Sequence, residues 1–445
     1  MGNLGGSVQS KTIEDAKRFL ASLKQTERLD AGDLQAYQRR LLERVVRHAR
    51  AQTDYYCDAL AVLFDADGTI DWGRWAEVPI LTREAAQANP EALYARSIPE
   101  PVGKPTEIRT SGSTGRVMPI LWDQLAGFAG QMLDARFYEW HGIDTAGSLA
   151  IIKSFADGGK AFPDGARSRG WHLFGPNAGL FELNSATGFE QQIEWLERRR
   201  PDYLASYPNN ILELARTLGA ARARRLGLKA LMPFGETVSE DARAEIEEIF
   251  AIPLLDRYGS TEVGQISAQC PMSLRHHVSM ENVFLEILDD DNKPVKPGEQ
   301  GRVVVTGLYN YSMPFIRYEQ ADYAILSPDA CPCGRSLTSI ERIVGRARSV
   351  FRFNDGSSRF PYLKPREIMP FLPHRQIQVA QTHLDRVEIR YVPDPSCDTI
   401  DLEGLARFIH ERLHPSLKVE TRAMESIPRA PGGKYFDYVS EIGQN

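Results

Sequence analysis

Apolar positions along the chain change their spacing several times, and each spacing predicts an element. Leu34, Tyr37, Leu41, Leu42, Val45, Val46 and Ala49 recur at three- and four-residue intervals. That is the stripe of a helix burying one face, and the first ~60 residues read as helical. Between residues 105 and 260 short apolar runs, such as Leu149-Ala150-Ile151-Ile152 and Ala230-Leu231-Met232, alternate with helical patterns at 192–198 and 210–218. The alternation predicts βαβ units and a mainly parallel sheet. From 283 to 326 the pattern is strand-rich: Val283-Phe284-Leu285-Glu286-Ile287, a turn at Lys296-Pro297-Gly298-Glu299, then Val303-Val304-Val305. After Gly345-Arg346 strands at 377–379 and 387–391 and a helix at 402–413 predict a smaller α+β unit. The expected fold is α/β: a large N-terminal domain with mainly parallel sheets (residues 1–346) and a small C-terminal α+β domain (residues 347–445). A chain of 445 residues is longer than one core usually spans.

Composition narrows the function classes. With 53 basic and 59 acidic residues the net charge is -6, which argues against a nucleic-acid or membrane-surface binder. No apolar run could cross a bilayer. Residues 1–11 are Gly- and Ser-rich without an apolar core, so they are not read as a secretory signal. Five cysteines do not make a disulfide framework. A cytoplasmic chain is expected, in which clustered thiols hold metal more readily than they form bridges.

Four segments carry candidate chemistry. Thr110-Ser111-Gly112-Ser113-Thr114-Gly115-Arg116 packs hydroxyls and glycines before a cation. Its backbone N–H groups, hydroxyls and charge suit a triphosphate, although a surface loop has the same composition. No Gly-x-x-x-x-Gly-Lys-Ser/Thr pattern occurs, so it is not a Walker loop. Asp256-Arg257-Tyr258-Gly259-Ser260-Thr261-Glu262 offers a ring to stack on a base, a hydroxyl for a phosphate and a hard oxygen ligand for Mg²⁺. By itself it is equally a strand end and a turn. Pro314-Phe315-Ile316-Arg317-Tyr318 precedes Asp322, a carboxylate able to accept both ribose hydroxyls. Arg429-Ala430-Pro431-Gly432-Gly433-Lys434 places a lysine on a Gly-rich stretch.

In this order and spacing the four segments resemble the adenylate-forming superfamily of acyl-CoA synthetases, adenylation domains and luciferases. The chain looks most like its phenylacetate–CoA ligase family. Val78-Pro79-Ile80-Leu81-Thr82-Arg83-Glu84, Ala205-Ser206-Tyr207-Pro208, Gly235-Glu236, Cys331-Pro332-Cys333-Gly334-Arg335 and Gly345-Arg346 add to the likeness. The resemblance implies that Ser111, Gly112, Ser113, Thr114, Gly115 and Arg116 hold phosphates. Gly235, Glu236, Tyr258 and Gly259 would frame the adenine, and Asp322 and Arg346 the ribose. Thr261 would touch the α-phosphate, Glu262 bind Mg²⁺ and Lys434 swing in with residues 347–445, which the resemblance would make a mobile lid. Tyr207, Pro208 and Gly235 would border the acid.

The implied reaction joins a small carboxylic acid to ATP as an acyl-adenylate, releasing pyrophosphate. The acyl group then passes to a thiol, coenzyme A, with an aryl or compact acid favoured. An amine or a carrier protein is the alternative acceptor, and a nucleotide-binding relative without catalysis the rival from another class. Two departures bear on the acceptor: Ala347-Arg348-Ser349 stands where family members often carry an acidic pair, and Asn354-Asp355-Gly356-Ser357-Ser358 replaces a loop that helps admit CoA. Cys270, His276 or His277, Cys331 and Cys333 are a donor set for tetrahedral Zn²⁺. The family includes members with a structural zinc from such segments, and its Cys-to-His spacing favours His277.

Overall fold

The structure, a computed structural model, describes residues 4–109, 118–155, 158–346, 350–359, 361, 363, 365–395, 400–428 and 436–442. Its helices are α1 (Leu4–Thr26), α2 (Ala31–Gln52), α3 (Asp54–Ala59), α4 (Arg83–Ala88), α5 (Gln124–Trp140), α6 (Phe189–Arg199), α7 (Pro208–Arg225), α8 (Glu240–Phe250), α9 (Pro365–Ile368) and α10 (Leu402–Arg412). The first strands are β1 (Thr106–Arg109), β2 (Pro119–Trp122), β3 (Leu149–Lys153), β4 (Ala166–Arg169), β5 (Gly179–Asn184), β6 (Tyr203–Ser206) and β7 (Ala230–Pro233). Next come β8 (Arg257–Ser260), β9 (Gly264–Gln269), β10 (His276–Val278), β11 (Val283–Leu288), β12 (Gln300–Gly307), β13 (Tyr318–Leu326) and β14 (Ser339–Arg346). Last are β15 (Phe351–Arg352), β16 (Ser358–Arg359), β17 (His374–His383), β18 (Arg386–Pro393), β19 (Lys418–Ala423) and β20 (Tyr438–Ser440).

The α2 stripe is buried as its spacing predicts. The Asp30 side chain caps the helix by accepting from Asp33 N at 2.9 Å. Leu42, Val45 and Val46 are at most 1% exposed, each burial being worth about 1.5–3 kcal/mol. They pack in one core with Val283, Val303, Val305 and Phe315 from the strand-rich region.

The fold is α/β with a C-terminal α+β unit, as expected, but parallel pairing is confined to one sheet of the large part. That sheet has the order β4-β5-β3-β6-β7, with only β4 antiparallel. Helices α6, α7 and α8 cover it and form a second core with it. The larger sheet, β11-β12-β13-β14-β10-β9-β8, is antiparallel throughout. Turns and loops rather than helices join its strands, and such links return the chain antiparallel. Beyond residue 350, β19-β18-β17-β20 form a mixed sheet. Phe351, Leu372, Val379, Ile389, Leu405 and Ile409 make its separate core.

Candidate active site

Two adjacent parallel strands open the site. Ser206 at the end of β6 pairs with Pro233 at the end of β7. The Tyr207-Pro208 and Gly235-Glu236 turns therefore leave the sheet side by side, at the carboxyl ends where α/β sheets commonly bind ligands. Pro208 opens α7, where its missing N–H costs no helical bond. Gly235 turns the chain at φ +81°, a conformation that favours glycine. The buried Tyr207 ring lies 5.1 Å from that of Phe234, and Asn209 Nδ2 donates to Glu236 Oε2 at 3.0 Å. The two turns thus share a wall and a polar link.

The second sequence segment forms β8 and its turn into β9. A side chain at Gly259 would place Cβ 2.5 Å from the Gly264 carbonyl oxygen, so this close approach requires glycine. Tyr258 Oη donates to Asp322 Oδ2 at 2.8 Å. In strand order β8 lies four steps from β13, roughly 19 Å if the sheet were flat. The bond therefore shows that the sheet curls, bringing the base and ribose candidates together. Asp322 also pairs across the ladder with Arg346.

Thr261 lies in the turn, and its carbonyl accepts from Trp122 Nε1 at 2.8 Å. Trp122 ends β2, which pairs with β1, and the Ser/Gly-rich stretch connects those two strands. Residues 111–116 and Lys434 lie outside the described residues. The Glu262 carboxylate is buried. Arg83 Nη1 stands 3.5 Å from Glu262 Oε1, and Tyr318 Oη donates to the same oxygen at 3.2 Å. Burial, then the Glu262 charge, pushes the Tyr318 hydroxyl up, so it stays a donor. A buried carboxylate with two oxygens suits a hard divalent cation, with Arg83 beside it.

Arg83, Tyr318 and Trp122 received no role from the sequence. Arg83 and Tyr318 stood inside quoted segments; their meeting with Glu262 needs the Leu81–Tyr318 bridge, which spacing does not reveal.

The cysteine segments meet behind this region. Ligand atoms of Cys270, His277, Cys331 and Cys333 all lie within 4.8 Å of one another. Cys270 Sγ is 3.6 Å from Cys331 Sγ, and His277 Nε2 is 3.1 Å from Cys333 Sγ. Tetrahedral Zn²⁺ with ~2.3 Å thiolate bonds would set sulfurs about 3.8 Å apart, so the donors fit the ion. Burial holds His277 down at about 4, leaving its ring neutral. Neighbouring strand residues face opposite ways. His276 accordingly points elsewhere, to Asp256 at 3.7 Å.

The comparisons agree with this geometry. The family described as AMP-binding enzyme matches residues 170–313. The phenylacetate-coenzyme A ligase of Escherichia coli (strain K12) is 28% identical over 278 residues, 57% of this chain and 62% of that protein. The chain is similar to the adenylate-forming superfamily and, within it, to the phenylacetate–CoA ligases. The phenylacetate-coenzyme A ligase of Thermus thermophilus is 26% identical over 275 residues, 55% of this chain and 61% of that protein. The matches thus span less than two thirds of these relatives. A 2-hydroxyisobutyryl-CoA ligase structure in the postadenylation state has a similar fold, with TM-score 0.73, 19% identity and coverage of 94% of this chain and 92% of that one. In its thioesterification state the same ligase gives 0.59, at 21% identity and the same coverage. Among the described residues no helix is long and apolar enough to cross a membrane.

Proposed function

We propose that this chain is an ATP-dependent ligase that activates a carboxylic acid as an acyl-adenylate and transfers the acyl group to the thiol of coenzyme A. The observation that carries the reading is the Tyr258–Asp322 bond beside Thr261 and Glu262, which gathers residues suited to base, ribose and phosphate at one place. Residues 1–346 form the ATP- and acid-binding unit, and residues 347–445 the lid that carries Lys434.

The chemistry follows from charge. A carboxylate is already ionised, so its attack on the α-phosphorus needs no base. It needs alignment and positive charge against two anions. The Tyr207-Pro208 and Gly235 turns align the acid, with a compact or aryl group against the Tyr207 and Phe234 rings. Tyr258, Gly259 and Glu236 frame the base, Asp322 and Arg346 hold the ribose, and residues 111–116 cradle the phosphates. Lys434 and Arg83 supply cationic charge, and Mg²⁺ held by Glu262 would add Lewis-acid charge. Cys270, His277, Cys331 and Cys333 hold a structural Zn²⁺, closed to water by its four protein ligands.

We read the arrangement of the two units as the one that serves adenylation and is kept until the adenylate has formed, not the one that serves thioester formation. The support is the higher TM-score with the ligase in its postadenylation state, 0.73, than in its thioesterification state, 0.59. A pyrophosphate-release screen over carboxylic acids, with no acceptor and then with coenzyme A, an amine or a carrier protein, tests the reading. Release with at least one acid, and a thioester only with coenzyme A, is expected. A product only with an amine or carrier protein moves the chain to the other acceptor class. No release with any acid removes the activity.

A further inference from the structure

Arg216 lies on α7, outside the site described above. Its guanidinium meets acceptors from three parts of the fold. Nε and Nη2 donate to the two Glu245 oxygens of α8 at 2.7 and 2.9 Å. Nη1 donates to Glu213, one turn back on its own helix, at 3.4 Å and to the Arg375 carbonyl at 2.8 Å. Arg375 is the second residue of β17, in the C-terminal unit. A planar guanidinium has five donors in a fixed fork, so two can be spent on one carboxylate while a third points elsewhere. Glu213 and Glu245 thus hold Arg216 from the body side and aim its remaining N–H across to the lid.

The end of β17 that Arg216 grips is a consequential one. β17 and β20 run parallel, with Val379 opposite Tyr438. Their starts therefore lie at the same end of the sheet, and Gln378 Nε2 donates to the Phe436 carbonyl there at 2.9 Å. Lys434 precedes Tyr438 by only four positions in the sequence. The strand that follows Lys434 in the sequence thus starts at the same end of the sheet as the residue Arg216 holds. The neighbouring residue Asp437 has its carboxyl pushed up to about 7, first by burial and then by the Glu236 charge. The Glu236 charge of the proposed nucleotide site thus acts on the residue that enters β20.

We propose that Arg216 is a positioning residue, a latch that fixes the C-terminal unit in the arrangement serving adenylation. It touches no substrate and acts through the Arg375 carbonyl. The proposal rests on the acyl-adenylate reading and on the domain division given above. Its consequence is asymmetric: loss of the latch slows the first half-reaction and leaves the second intact.

The test uses the full chain with an acid that supports pyrophosphate release. Arg216→Ala is measured in single turnover for pyrophosphate release, and separately for thioester formation from preformed acyl-adenylate and coenzyme A. A charged hydrogen bond of this kind predicts a roughly tenfold slower first step. The second should be unchanged or faster, at a melting temperature close to wild type, since the Arg216 side chain is one third exposed. Equal slowing of both steps, or no slowing of either, would overturn the latch. A readout without turnover accompanies the kinetics: pulsed EPR distances between spin labels attached through unnatural amino acids at the exposed positions Asp290 and Lys418. Arg216→Ala should broaden or shift the distance distribution, and an unchanged distribution overturns the proposal. If wild type activates no acid, the functional reading fails, and the EPR distances alone then decide whether Arg216 is a latch.

Discussion

Replacing Glu281 by Ala should be among the more costly single changes in the body. Glu281 and Arg136 are a bidentate pair, with Nη1 to Oε1 at 2.7 Å and Nη2 to Oε2 at 3.2 Å. Their side chains are 0% and 2% exposed. Thr26 Oγ1 donates to the same carboxylate at 2.5 Å, and Arg136 Nη1 also reaches the Leu23 carbonyl at 3.2 Å. The pair therefore joins the end of α1, the middle of α5 and the segment between β10 and β11. Removing one partner leaves a guanidinium in the interior without its counter-charge, which typically costs about 3–5 kcal/mol. A Coulomb term at ~4 Å and an effective dielectric of about 20 gives a similar ~4 kcal/mol. With about 2.1 cal/mol/K of unfolding entropy per residue, the 445-residue chain has a slope near ~0.9 kcal/mol/K. The melting temperature should fall by roughly 3–5 °C. Calorimetry at fixed pH, with reversibility checked by rescanning, is the assay. Arg136→Met combined with Glu281→Leu should recover much of the loss, because it removes both charges. A fall under about 1 °C for Glu281→Ala, or a double variant as unstable as the sum of its singles, would refute the reasoning.

Further outcomes test the proposed site. Lys434→Ala should lower pyrophosphate release by about 3–4 kcal/mol in activation free energy while ATP affinity stays nearly unchanged; near-normal release would take Lys434 out of the chemistry. Glu262→Gln should shift the Mg²⁺ titration of turnover to higher concentration, with partial recovery in excess Mg²⁺, and an unmoved titration would exclude Glu262 as the ligand. Purified protein, prepared without added metal or chelator, should carry one zinc per chain. Cys331→Ser should lose it and melt several degrees lower, whereas His276→Ala keeps it. Zinc well below one equivalent at full activity and unaltered melting would return the four residues to ordinary packing.

Local order was largely legible in the sequence, because it depends on spacing. The α2 stripe, the β3 and β7 runs and the strands of the C-terminal unit fall where apolar periodicity puts them. Family spacing favoured His277 over His276 as a metal ligand; in the fold, strand alternation sends the His277 ring to the cysteines and the His276 ring to Asp256. Antiparallel order in the seven-stranded sheet was not legible, since an apolar run carries no record of its neighbour's direction. Nor were the long-range polar meetings. Arg136 and Glu281 are 145 positions apart, and Arg216 and Arg375 are 159 apart. A charge bound to a distant acceptor has the same local sequence as one facing water.

The two halves of the larger sheet's chemistry are joined by the strands themselves. Strand β9 begins just after Thr261 and Glu262 and ends one residue before Cys270. Strand β13 carries Asp322 at its midpoint and leads into the loop of Cys331 and Cys333. Strand β14 leaves that loop and ends at Arg346, opposite Asp322. The proposed metal cluster and the proposed nucleotide residues thus lie toward opposite ends of β9 and β14, about 20 Å apart along β9. Covalent continuity and ladder hydrogen bonds transmit register along a strand, and one end cannot slip by a single residue without turning every side chain to the other face. Tying the far ends together therefore fixes which side chains face the nucleotide, although no cluster residue lies among those proposed to bind it. On this reasoning the cluster acts on stability first, and on nucleotide binding only through the register it imposes.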